Sequence, residues 1–244
     1  MDTQKKLQPQ EIKHLSKVIN QYIASKTSSA LSKLLSEPVK YNVMILEKEF
    51  FNFRNIKLAS DEIKMCTVRL SGKGDVHMEI CYVIKMNYAQ KIAAKLLCEE
   101  ESEKISELGT SAIEEVANIL TGSFFNALSS ATGFRIELST PDYQQGNLSS
   151  LANGSASDII KPNTNTVIAD AELVGNDSGI RIHMLIMQQP NNARKLLEQI
   201  KKFQKSNFSS IEKSKLKLED FDSNNSELDS LVEEILQNEG ERNQ

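Results

Sequence analysis

The strongest constraint on the fold is a sequence pattern that occurs twice. Two offsets relate the copies, 104 residues for the later elements and 98 for the first helix. The offset of 104 places Met78, Ile80 and Tyr82 on Ile182, Met184 and Ile186, and AQKIAAKL on ARKLLEQI, and the offset of 98 places Val18 on Val116 and Asn20 on Asn118. Repetition of this kind predicts an internal duplication. Because neither copy could cover its own sheet face, we expect one joined domain with pseudo-twofold symmetry.

Hydrophobic periodicity predicts the same order of elements in both copies. Helices are expected at 9–36, at 87–98, through Ser111 and from about 191, and strands at 41–47, 62–70, 75–84, 134–140, 165–174 and 179–187. The SGKGD segment at 71–75 is expected to be a turn, and 142–164 a Gly/Ser/Asn-rich connection. The predicted class is therefore α+β, an α/β sandwich of long helices on a mainly antiparallel sheet.

The domain boundaries follow from composition. A duplicated domain is predicted at 9–203, with copies at about 9–98 and 103–203, followed by a polar linker at 204–225. An amphipathic helix is predicted at 226–238, with an apolar stripe of Leu228, Leu231, Val232 and Ile235. Since so short a helix is marginal alone, it should either fold back on the domain or bind a partner.

Charge and composition exclude several functions. The chain has 29 Lys and Arg against 33 Asp and Glu, with pI ≈ 5.6, so we expect no nucleic-acid surface. No apolar run of membrane length is present, so we expect no membrane insertion and a cytoplasmic protein. The three cysteines and three histidines are scattered, which disfavours a disulfide framework and a metal site.

The helix that begins near Ser111 has two chemically different sides. Its apolar positions fall on one side and predict a core face. Ser111, Glu115, Asn118 and Gly122 fall on the other, at steps of four, three and four residues, so neighbouring side chains stand together. A carboxylate and a carboxamide should therefore project side by side, with a bare patch at Gly122.

Phe125 lies on the flank of this polar side, and the sequence leaves two interpretations of it open. Its ring either contacts a partner or packs under a neighbouring element. Large apolar side chains are more often buried, which favours packing.

The spacing of these polar residues is also that of a known family. Ser111, three residues, Glu115, two residues, Asn118 and then twenty-two residues to Pro141 resembles the signature of the CheC/CheX/FliY family of chemotaxis phosphatases. The intervening NILTGSFFNALSSATG is similar to that family's active helix. The resemblance covers roughly 9–203 and implies hydrolysis of the aspartyl phosphate of the response regulator CheY.

The resemblance also implies roles for residues and partners. Glu115 would reach the regulator's active-site lysine and Asn118 would enter its active site, while Ser111, Gly122, Phe125 and the 226–238 stripe would contact partners. Proteins of this family often bind the deamidase CheD, and that contact would lie near 142–164. Flagellar switch proteins are further candidate partners. Mg²⁺ would belong to the regulator, so the chain needs no cofactor of its own.

The first copy departs from the family pattern. Asn20 occupies the asparagine position, but Lys17 replaces the glutamate and Lys13 replaces the serine or aspartate. We therefore expect one working site and a degenerate second one, where Asn20 is either a remnant or an ordinary surface amide. The alternative function for the whole chain is a non-catalytic adaptor that binds CheY or the flagellar switch.

Overall fold

The computed structural model describes residues 6–47, 64–147 and 165–203. The chain divides into two compact units, Met1–Gln199 and Ile200–Gln244, and only 200–203 of the second are described. The predicted linker at 204–225 and helix at 226–238 lie outside the described residues. The domain boundaries therefore stay predictions.

The N-terminal helical segment contains a change of helix type that its periodicity did not predict. Helix α1 spans Pro9–Tyr22, a π-helical turn spans Ile23–Thr27, and α2 spans Ser28–Leu35. A wider turn inserts about one extra residue without breaking the helix, so the 9–36 apolar pattern still reads as one element. The segment ends at Ser36, whose backbone is left-handed at φ 52.

The remaining elements follow the predicted order, with one addition. The strands are β1 (Val39–Glu47), β2 (Lys64–Gly74), β3 (Met78–Lys85), β4 (Ile136–Leu138), β5 (Asp142–Asn147), β6 (Val167–Gly175) and β7 (Arg181–Gln188). The later helices are α3 (Met86–Leu97), α4 (Glu107–Thr132) and α5 (190–203). The α+β prediction is confirmed, with helices packed on an antiparallel sheet.

Two details of the prediction are wrong. Gly72 and Gly74 of the expected turn continue β2, where they pair with Leu138 and Ile136 of β4. Strand β5 lies inside the expected Gly/Ser/Asn-rich connection and pairs with β2 from Asp142 to Asn147. Its sequence, DYQQGN, lacks the apolar alternation that marks a strand, so only pairing with β2 reveals it.

The sheet has the same strand pattern from either end. Its order is β1-β6-β7-β3-β2, with both β4 and β5 pairing with β2. At the central β3–β7 pair, Cys81 lies opposite Leu185, and these are residues that the 104-residue offset relates. This arrangement is what a pseudo-twofold axis would produce. The internal duplication itself stays a prediction.

The core lies between the sheet and the helices. Alternate residues of β3 point to the helical side, and all are at most 2% exposed: Met78, Ile80, Tyr82 and Ile84. Apolar side chains of α1 and α4 complete this layer, among them Leu15, Ile19, Leu120 and Phe124. Within the described ranges, no helix has the length and apolar character needed to cross a bilayer.

Glu37 ties the end of the first helical segment to the β6–β7 turn. Its carboxylate accepts the backbone N–H of Asp177 at 2.8 Å and of Ser178 at 2.7 Å, and the Ser178 hydroxyl also donates to it. The Ser178 hydroxyl, with these N–H donors, lowers the pKa of Glu37, although burial opposes the shift. A charged group therefore fixes a turn 140 residues away in sequence.

We predict that Glu37→Gln lowers the free energy of unfolding by about 1–3 kcal/mol at pH 7, because the N–H donors of the β6–β7 turn lose a charged acceptor. Since the folded-state pKa is lowered, the stabilisation is complete above the unfolded pKa of about 4.3 and is lost as pH falls below it. Urea unfolding at pH 7 and in acid measures both effects. Glu137→Gln, at an exposed position of β4, is the control; equal losses in both variants would contradict the assignment.

Candidate functional site

Helix α4 is well defined at both ends. At its start, the Ser106 hydroxyl accepts the backbone N–H of Gly109 at 3.0 Å, and Glu107 places a negative charge in the first turn. At its end, Gly133 adopts a left-handed backbone at φ 72. The 26 residues between these caps form one uninterrupted support for the polar side chains.

The inner side of α4 is fixed to the sheet by a buried hydrogen bond. The Tyr82 hydroxyl of β3 lies 2.9 Å from Oγ1 of Thr121, and both residues are at most 1% exposed. Burial raises the pKa of Tyr82, so the phenol stays protonated and can donate. Phe124 packs edge-on against Tyr22 at 6.4 Å between ring centroids. The rotation of α4 about its axis is therefore fixed.

The outer side of α4 presents the predicted polar residues to solvent. Ser111, Glu115 and Asn118 are exposed, and Gly122 is partly exposed with open space where a Cβ would stand. The Ser111 hydroxyl donates to the carbonyl of Glu107 at 3.2 Å. Within the described residues, Glu115 and Asn118 have no recorded hydrogen bond or ion pair. Their carboxylate and amide groups are therefore available to a partner.

Phe125 is not part of this outer surface. It is 3% exposed, and its ring packs against Phe124 and over Gly72, where an added Cβ would come within 2.6 Å of it. The partner-contact interpretation is therefore corrected: Phe125 is a core residue, because the absence of a side chain at Gly72 leaves room for its ring against the sheet.

Leu108 is an outward-facing residue of α4 that the sequence analysis missed. It is 59% exposed and lies one turn before Ser111, on the same side of the helix. An exposed leucine at a helix start looks like part of the apolar pattern in the sequence. Only its measured exposure separates it from the core residues.

The face of α1 that the 98-residue offset relates to this one is also exposed but has a different charge. Lys13, Lys17 and Asn20 all point outward from α1. The amide at Asn20 is therefore accompanied by two cations instead of a carboxylate. The four apolar residues predicted to contact partners from 226–238 lie outside the described residues.

None of the three cysteines lies on α4. Cys66 and Cys81 are buried, and burial raises the pKa of each thiol to about 12, whereas Cys98 is exposed. In the described part of the chain, no three His, Cys, Asp or Glu side chains are grouped so as to hold a metal ion.

Comparison with solved structures identifies the fold. The FliY structure of Thermotoga maritima superposes with a TM-score of 0.64 at 18% identity, covering 82% of this chain and 100% of that one. The FliM middle domain of H. pylori gives 0.55 at 12% identity, covering 79% and 99%, and the H. pylori FliM-SpeE complex gives 0.55 at 12%, covering 82% and 98%. The chain thus has the fold of the FliY and FliM proteins.

A segment that contains most of α4 resembles a known family. Residues 108–143, which contain the outward-facing acid and amide, match the CheC-like family. This segment of the chain is therefore similar to the CheC-like family. No curated protein matches it in sequence.

We predict that Asn118→Ala leaves the melting temperature unchanged or slightly raised, because the side chain is exposed and alanine favours helix. Thr121→Val, one turn further along α4, should lower stability by about 1–3 kcal/mol because it leaves the buried Tyr82 hydroxyl unpaired. Thermal unfolding by circular dichroism compares the two. A large loss for Asn118→Ala would show that its amide has a structural role.

Proposed function

We propose that this protein is a phosphatase that hydrolyses the aspartyl phosphate of the response regulator CheY, using one site on α4. The observation that supports this most is the exposure of Glu115 and Asn118 on a helix that is held to the sheet by the buried hydrogen bond at Thr121. Asn118 is three positions after Glu115, so the two side chains start roughly 4.5 Å apart along the helix axis. An acid and an amide thus project together from a rigid support.

Asn118 is the proposed catalytic residue. An aspartyl phosphate is already activated, and phosphoryl transfer depends mainly on positioning and electrostatics. An amide donates and accepts hydrogen bonds, so Asn118 can hold a water in line with the phosphorus, although it cannot act as a base. The chain then needs no nucleophile of its own.

Glu115 is the proposed docking residue. The family resemblance pairs this glutamate with a lysine in the regulator's active site, and the exposed carboxylate is free to make such a pair. Ser111 and the open space at Gly122 would allow the regulator's surface to approach α4 closely. The phosphoryl group and its Mg²⁺ would be supplied by the regulator.

The first copy would be inactive for an electrostatic reason. Lys17 is exposed at the place that corresponds to Glu115, so it would face the regulator's lysine. Like charges brought together across an interface cost several kcal/mol. One working site per chain is therefore proposed.

An adaptor that binds the regulator or the flagellar switch without hydrolysis is the second candidate. The likeness to the FliM structures supports this candidate, because FliM is the name of a flagellar switch protein and the FliM structures share this fold. An enzyme turns over at substoichiometric amounts and an adaptor does not. CheD remains a further proposed partner.

We predict that the protein accelerates phosphate release from phosphorylated CheY in Mg²⁺ and that Asn118→Ala lowers kcat by about 10²-fold or more, since water positioning contributes on that scale. Phosphate release with excess regulator measures it. Asn87→Ala, an exposed asparagine of α3, is the matched control and should retain full activity. Equal rates for wild type and Asn118→Ala would refute the catalytic assignment.

We predict that Lys17→Glu raises phosphatase activity by up to about twofold, because it removes the repulsive charge from a second face that already has Asn20. The same assay, at saturating regulator, measures this gain. Lys73→Glu makes the same charge change at an exposed position of β2 and should give no gain. If folded Lys17→Glu shows wild-type activity, other differences in α1 also disable that face.

A further inference from the structure

A groove runs along one flank of α4, beside the face that bears Glu115. It has a volume of about 810 Å³ and lies between α4 and the N-terminal helical segment. Ile119, Ser123 and Asn126 line its α4 wall, and Lys26, Lys33 and Leu34 line the opposite wall. Because Ile119 lies four residues after Glu115 on α4, a protein seated on the outer face of α4 would also reach this groove.

The charge of the groove differs from that of the chain. The chain has a net charge of −4, yet no carboxylate is among the residues that line the groove. Lys26 and Lys33 are both exposed, and neither forms an ion pair within the described residues. Two unpaired cations in a groove without acids favour an anionic ligand.

A phosphorylated aspartate lies in surroundings of the complementary charge. Mg²⁺ at such a site is bound by one or two carboxylates together with phosphate oxygens, so the rim of the site is rich in anionic groups. We infer that the groove is a docking surface for this acidic rim, with Lys26 and Lys33 as the cations that contact it. This inference rests on the proposed function, since it concerns the same regulator.

The position of the lysines assigns them to docking and not to chemistry. Lys26 lies in the π-helical turn and Lys33 in α2, seven residues further, which is roughly 10 Å along a helix. They stand on the wall opposite α4, so Asn118 keeps its place at the phosphorus. Charges at the edge of an interface act mainly on association and affinity.

The test is the double variant Lys26→Glu/Lys33→Glu, assayed with phosphorylated regulator at low salt. We expect KM to rise by about tenfold, because rim charges of the wrong sign slow association, while kcat stays within about twofold. The difference from wild type should shrink as salt is raised. Lys26→Gln/Lys33→Gln should give a smaller rise, and it serves as the second variant if the reversed charges affect folding.

Lys73→Glu, at an exposed position outside the groove, is the matched control. The inference is overturned if the folded double variant has the wild-type KM, if only its kcat falls, or if Lys73→Glu raises KM equally. Binding of the regulator, activated with beryllium fluoride, separates this result from failure of the proposed function. If wild type binds without hydrolysis and the double variant loses affinity, the docking surface stands and the phosphatase assignment fails. If wild type does neither, both fail.

Discussion

The close approach of α4 to the sheet is the constraint on which the site depends. The hydrogen bond between Tyr82 and Thr121 fixes the rotation of the helix. Gly72 has no side chain and so leaves room for the ring of Phe125 to pack against β2. Both contacts bury a side chain of α4, Thr121 in the first and Phe125 in the second. Since successive residues of a helix are about 100° apart, fixing the inner side also fixes where Glu115 and Asn118 point. The outer side chains therefore need no local partners to hold their support in place.

The contrast between the buried contacts of α4 and its exposed side chains explains how a surface with few internal contacts can still be suited to catalysis. A water-orienting amide has to be placed accurately, and accuracy comes from the rigidity of the element that carries it. The buried hydrogen bond and the capped ends of α4 supply that rigidity, while the exposed face is left polar and open. In the proposed reaction, the electrophile and its metal belong to the partner. The proposed chemistry would then be shared between two proteins, and the face of α4 would be one half of an active site.

Periodicity alone was sufficient to predict the order of the helices. It also predicted which side of α4 is apolar and that Glu115 and Asn118 are exposed, because a 3.6-residue repeat separates core from surface. It was insufficient where a residue's place depends on another segment. Strand β5 is polar and exists through its pairing with β2, and the π-helical turn at Ile23–Thr27 does not interrupt the apolar pattern. The packing of Phe125 depends on Gly72, which is distant in sequence, so periodicity alone could not establish it. The exposure of Leu108 became apparent only in the structure, since its sequence context is that of a core residue.

The symmetry of the sheet and the asymmetry of its two outer faces have different physical causes. Each half of the sheet pairs with the other through β3 and β7, so losing either half would expose apolar strands that are now buried. Packing therefore maintains both halves. The exposed faces of α1 and α4 are not constrained by packing in this way. Replacing an acid by a lysine there costs little stability. The fold therefore does not require a carboxylate on either outer face, and the face of α1 bears Lys13 and Lys17 instead. Lys26 and Lys33 lie on the same helical segment as Lys13 and Lys17, but they line the groove beside α4, where an anionic partner of α4 could use them.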